Sequence, residues 1–245
     1  MVSKVSPYRH EGEKGLGWAC QQLDFYEGDK ALNETIWTCE NELAPVLVQV
    51  VQKEDFTEPE LVALRWLAVT LHVRTKKAAE SYKVFPKRIF YEVIQNGIDR
   101  GELPPPPEGK WTEEMVDCDG VPGFLWQNSV IPCALEMQTL GCKLLKAPDE
   151  TFFITSDNPV VVLNQFCSGA ERFRNFVGFA KSGFQLLMPI SPKLCVFFYD
   201  AKVYKVGLRR HRLVPLAADD VDIVNALQIQ SAEEFVLFHE PTLVS

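Results

Sequence analysis

Three consecutive polar residues, Ser156-Asp157-Asn158, stand between two apolar runs, Phe152-Phe153-Ile154 and Val160-Val161-Val162-Leu163. An apolar run bounded by turn-formers reads as a buried strand, which would present the Asp157 carboxylate at a fixed point with core on both sides. A carboxylate so placed can hold a divalent cation or act as a general base. In an enzyme it would work with Asp219 and Asp222, or with Asp220 between them, around a metal ion. The competing reading is architectural: Ser156 and Asp157 bond nearby backbone amides, and Asn158-Pro159 turns the chain. No partner for Asp157 is visible in its neighbourhood, so the architectural reading is the expected one. No catalytic residue, metal ligand or cofactor is therefore assigned. Ser156, Asp157 and Asn158 are taken as binding residues.

The other group with chemical potential is basic: Lys202, Lys205, Arg209, Arg210, His211 and Arg212. Arg209, Arg210 and Arg212 are candidates for contact with a phosphate or an acidic protein surface. The alternative is a solvated hairpin edge that discourages strand pairing between molecules. The four histidines, His10, His72, His211 and His239, are far apart and have no metal-binding spacing. GxSxG, GxxxxGK[ST] and GxGxxG are all absent, which removes the usual serine-nucleophile and phosphate-cradling motifs. Pro148-Asp149 and the later Asp200-Ala201-Lys202 are too far apart in sequence for a nuclease signature.

The net charge of -8 speaks against general nucleic-acid binding and suits a basic protein partner. No apolar run approaches the roughly 18 residues of a membrane span. The opening MVSKVSPYRHEGEKG has no apolar core of a secretion signal, and seven scattered cysteines without a CxxC pair read as reduced, buried thiols. A cytoplasmic protein is the expectation.

These residues need a scaffold. Ile36, Cys39, Leu43, Leu47 and Val50 fall at helical spacing after a cap at Asn33, and Pro45 should kink that helix near Asn41 or begin a second one there. Thr57-Glu58-Pro59-Glu60 predicts a capped helix to about Thr75. It carries two apolar stripes, one of Leu61, Leu64, Ala68 and Leu71, the other of Val62, Trp66, Val69 and Val73, and should be buried most of the way round. Further helices are expected over 86–100, stopped by Gly101, and over 127–140, with Ile131, Leu135 and Met137 facing the core. From Cys142 the pattern changes to strands: 142–147 and 151–155 as a hairpin, 184–189 and 194–200 around Ile190-Ser191-Pro192-Lys193, and shorter ones at 203–206 and 213–216. Asp219 and Asp220 open a last helix, and 234–239 closes the chain as a strand. The fold class is α+β: a mainly helical part, 1–141, packed on a mainly antiparallel sheet, 142–245, as one unit.

The pieces Asp24-Phe25-Tyr26, Glu40-Asn41-Glu42, His72-Val73-Arg74-Thr75, Phe153-Ile154-Thr155-Ser156-Asp157-Asn158-Pro159, Met188-Pro189-Ile190-Ser191-Pro192 and Asn225 make a pattern. From about Leu23 onward it resembles a bacterial domain-of-unknown-function family, number 4238. The resemblance implies a fold and a bacterial origin, and no established activity. Longer relatives open with a His-Tyr-x-Pro-like segment that Met1 to Glu13 lacks. If that histidine serves an active site in the family, this member is without it.

The expected function is a non-catalytic, protein-binding one: a bacterial cytoplasmic immunity protein or antitoxin that neutralises a basic toxic enzyme such as a nuclease. The alternative is a metal-dependent phosphodiesterase or nuclease-like hydrolase in bacterial defence. A scaffold or regulator acting as a homodimer is a third class. No membrane and no direct nucleic-acid contact is expected.

Overall fold

Two helices joined by a tight turn form one wall of the molecule. The computed structural model describes residues 2–3, 9–10, 30–75, 77–78, 91–104, 112, 130–166, 179 and 181–238, with backbone alone at 2–3, 9–10, 30–33, 35 and 40. Strands β1 (Val2–Ser3) and β2 (Arg9–His10) pair with each other. Helix α1 (Lys30–Lys53) runs in one piece through Pro45, so no second helix starts near Asn41, and Asn33 lies inside the helix rather than capping it. Ile36 and Val50 are buried and Leu43, Val46 and Leu47 half-buried, which is the predicted stripe. Glu54 ends the helix with φ of 53°. A left-handed residue redirects the chain here. Its carboxylate meets Lys146 Nζ at 2.6 and 2.7 Å, tying the turn to the sheet.

Helix α2 (Glu58–Val73) starts as its sequence predicts. Thr57 Oγ1 accepts from Glu60 N at 3.4 Å, and Glu60 Oε2 accepts from Thr57 N at 2.7 Å. Lys53 Nζ completes the cluster, donating to Glu60 Oε1 at 2.8 Å. The lysine and the two Thr57 donors hold the Glu60 carboxyl at about 2, below its ordinary 4.5. A depressed folded-state value means that this stabilisation is complete above pH 4.5 and is lost as pH falls through about 2. Urea midpoints measured down that range should fall for the wild type and fall less for Glu60→Gln. Parallel curves would deny the carboxylate this role. Of the first apolar stripe of α2, Leu61, Leu64 and Ala68 are buried and Leu71 half-buried, whereas Val62 (49% exposed) and Trp66 (36%) of the second face outward. The helix is covered on the sheet side, not all round.

Helix α3 takes in 91–99 among the described residues, and the expected start at 86–90 lies outside them. Gly101, at φ 72°, ends it, and the amides of Glu102 and Leu103 both return to Gly97 O. Helix α4 covers 130–136 and tightens into a 3-10 turn at Met137–Thr139. Its inner face is Val130, Ala134 and Met137, while Ile131 and Leu135 are exposed, contrary to the expected stripe. The i, i+4, i+7 set starts one residue earlier than the large side chains suggest.

The main sheet contains β3 (Gly141–Lys146), β5 (Val161–Asn164), β6 (Phe184–Pro189), β7 (Leu194–Tyr199) and β8 (Leu213–Pro215), in the order β5-β6-β7-β3-β8. All neighbours are antiparallel except β3 and β8. A second ladder, β2-β1-β9-β4, uses β4 (Thr155–Ser156) and β9 (Phe235–Leu237). Helix α5 (Ala218–Ser231) lies between β8 and β9 in sequence. Alternation along each strand sends Leu144, Val162, Phe184, Leu186, Met188, Val196 and Phe198 toward α2 and α4, and Leu145, Val161, Leu163, Leu187 and Cys195 toward Val221 and Val224 of α5. Helices thus cover both faces, which is why runs such as Leu194–Tyr199 are continuously apolar. The fold is α+β, with the helical wall on one side and α5 on the other.

Two expected strands are absent. Residues 151–154 do not pair with 142–147, because β3 is flanked by β7 and β8. The segment instead wraps the β6–β7 turn: Phe153 N donates to Pro192 O at 2.8 Å, and Lys193 Nζ donates to the carbonyls of Pro148, Asp149 and Thr151 at 2.9, 2.6 and 2.6 Å. Residues 203–206 are not a strand either, since Val203 N and Tyr204 N both close turns onto Asp200 O.

Candidate functional site

The C-terminal half of α5 carries polar residues where its first half carries valines. Asn225, Gln228 and Ser231 follow Val221 and Val224 at helical spacing on the inward face. Each addresses the segment 152–159. Asn225 Oδ1 accepts from Ile154 N at 3.0 Å and its Nδ2 donates to Phe152 O at 2.9 Å, so one side chain acts as a strand edge. Gln228, wholly buried, donates from Nε2 to Pro159 O at 2.8 Å. The Ser156 hydroxyl lies 3.1 Å from Gln228 Oε1 and 2.9 Å from Asn158 O, and accepts from Asn158 N at 3.2 Å. Asn158 Nδ2 reaches Ser231 Oγ at 2.6 Å, and its Oδ1 is buried without a partner among the described residues.

Asp157 points along the same seam. Its Oδ1 accepts from Glu233 N at 3.0 Å and its Oδ2 from Glu234 N at 2.7 Å. Both oxygens thus cap the chain as it leaves α5 for β9. Lys77 Nζ adds a cation at that helix end, donating to Ser231 O at 2.9 Å with Glu233 at 3.6 Å, where the helix dipole favours positive charge. Replacing Asp157 by asparagine keeps one acceptor and turns an N–H toward an amide donor. The expected loss is about 1–2 kcal/mol, measured as a shift in urea midpoint.

The carboxylates that a metal-dependent hydrolase would need are not gathered. Asp219, Asp220 and Asp222 are exposed in the first turn and a half of α5, and Asp220 accepts from Ala217 N at 3.2 Å. Asp157 sits beyond the other end of that helix, about 18 Å away at 1.5 Å per residue. Among the described residues no group of three or more His, Cys, Asp or Glu could hold a metal ion. Pro148-Asp149 and Asp200 lie at opposite ends of β7, about 20 Å apart. Asp200 is itself occupied, accepting from Gly183 N and Lys202 N, and those amides lower its pKa.

His72 is buried and packs edge-to-face on Phe179 at 5.9 Å. The side chains of His10 and His239 lie outside the described residues, as do Cys20, Cys118, Cys167 and the Leu23–Tyr26 entry. Cys39, Cys133, Cys142 and Cys195 are free thiols. Burial raises Cys133 to about 11 and pushes Cys142 and Cys195 higher still, so these three are poor nucleophiles.

The arginines divide. Arg212 is structural: its guanidinium bonds Phe56 O and Glu58 Oε1 and stacks over the Phe56 ring at 4.8 Å. Arg209 and Arg210 are exposed. Asn225, Gln228 and Lys193 were not singled out for these roles by sequence reasoning. The signal for the first two was present, as amides in phase with a valine stripe. No described helix is long and apolar enough to cross a membrane.

No curated protein and no solved structure matches the chain. Residues 123–242, which take in α4, the main sheet, the knuckle at 155–159 and α5, match the profile of a family described as Protein of unknown function (DUF4238).

Proposed function

We propose that this is a non-catalytic protein-binding protein, a bacterial cytoplasmic immunity protein or antitoxin that neutralises a toxic enzyme such as a nuclease. The observation that carries the reading is the engagement of Asp157. Its two oxygens fix backbone amides of Glu233 and Glu234, a positioning role, while Asp219 and Asp222 stand at the far end of α5. The helical wall supplies exposed acids, among them Glu34, Glu42, Asp55 and Glu58, on a chain of net charge -8. An acidic face of this kind steers a basic partner into contact and makes association depend on salt.

The test is to purify the protein with the product of each neighbouring gene, and to measure binding at low and high salt. A tight complex that abolishes the partner's toxicity supports the reading, with association slowed by Glu34→Lys/Glu42→Lys. No complex with any neighbouring product sinks it. So does hydrolysis of a phosphodiester by this chain alone, dependent on magnesium or manganese and lost in Asp219→Ala.

A further inference from the structure

Lys143 is an unusual residue to find inside a sheet. It is 5% exposed, and burial lowers its pKa. Its ammonium group donates to Leu208 O at 3.0 Å and to His211 O. The same two residues close a turn through His211 N and Leu208 O at 3.0 Å. On one side Gly207, at φ 56°, allows a close approach to Val214 that a Cβ would obstruct at 2.8 Å. On the other side Arg212 is anchored to Glu58 and Phe56. A buried charge, a left-handed glycine and a stacked arginine together fix six residues of surface loop.

What that loop displays is unsatisfied. Arg209 and Arg210 are exposed and have no ion pair or side-chain hydrogen bond among the described residues, on a protein with more carboxylates than cations. Leu208 beside them is 68% exposed. We infer that the turn at 207–212 is a pre-organised docking point for an acidic surface of a partner protein, with Arg209 and Arg210 paired to carboxylates and Leu208 seated in an apolar notch between them. Arginine suits this because its planar fork takes a carboxylate by two parallel bonds. Rigidity matters because a loop already ordered loses little entropy on binding. The exposed leucine favours protein over nucleic acid. This surface is distinct from the acid-bearing helical wall, so the inhibitor reading and this one can fail separately.

The experiment is fluorescence anisotropy on the full chain at low salt, with three labelled probes: an oligoglutamate peptide, the same peptide with central leucines, and a short DNA duplex. The leucine-bearing peptide should bind best. Arg209→Glu/Arg210→Glu should weaken it by about tenfold, the cost of removing and reversing two exposed charges. Leu208→Ser should erase the preference for the leucine-bearing peptide, and Lys143→Met should weaken both peptides by loosening the turn. Tighter binding of the duplex would reassign the turn to nucleic acid. Absence of peptide binding, or binding indifferent to the arginine reversal, would leave it a solvated loop, and either result overturns the inference.

Discussion

Asn225→Ala should destabilise the protein by about 3 kcal/mol. The side chain pairs with the backbone of Ile154 and Phe152 at 3.0 and 2.9 Å, where no strand runs alongside. Truncation removes the side-chain partner of a half-buried amide and of a half-buried carbonyl. Losing a partner at a half-buried polar group costs about 1–3 kcal/mol, and the two bonds together set the estimate. Asparagine is needed because it has one donor and one acceptor side by side, as a strand edge does. Asn225→Asp keeps the acceptor and places a second oxygen against Phe152 O, so it should rescue little. Urea midpoints measure both. A loss below about 0.5 kcal/mol, the range of ordinary surface substitutions, would mean that the 152–154 segment is held without this pairing.

Lys193→Met is expected to lose about 2–3 kcal/mol. An ammonium group has three protons, and Lys193 directs them at the carbonyls of Pro148, Asp149 and Thr151. Its charge also lies 3.8 Å above the centre of the Phe152 ring. Methionine keeps the length and the apolar stem, so the loss reports the charge and its bonds rather than packing. Hydrogen bonds to a charged group are worth about 1.5–3 kcal/mol each, but water can replace the one at exposed Asp149. Lys193→Arg should recover only part, since a planar fork cannot aim three N–H groups at three converging oxygens. An arginine variant as stable as the wild type would show that charge, not its geometry, matters.

The sequence was most legible where local rules and tertiary contacts agree. Thr57 and Glu60 announce a capping box and form one. Phe184–Pro189 and Leu194–Tyr199 read as strands around a four-residue turn and pair accordingly. The α+β class followed from the change of period at Cys142. Reading failed where a distant side chain replaced a local partner. Residues 151–155 look like the return arm of a hairpin, yet Lys193 and Asn225 claim their polar groups from 42 and 71 positions away. The exposed faces of α2 and α4 were misjudged because Trp66 and Ile131 are large and apolar, and size alone does not set the direction of a helical stripe. At the candidate site, the composition of the knuckle was visible but its orientation was not. Nothing within five residues of Asp157 reveals that its ligands are the amides of Glu233 and Glu234.

The seam between α5 and the knuckle leaves an imprint on solvent exchange. Amide protons outside helices and ladders normally trade with deuterium quickly, yet Ile154, Glu233 and Glu234 each donate theirs to a side-chain oxygen. These three should be retarded among fast-exchanging neighbours, and the last two should speed up together once Asp157 is replaced.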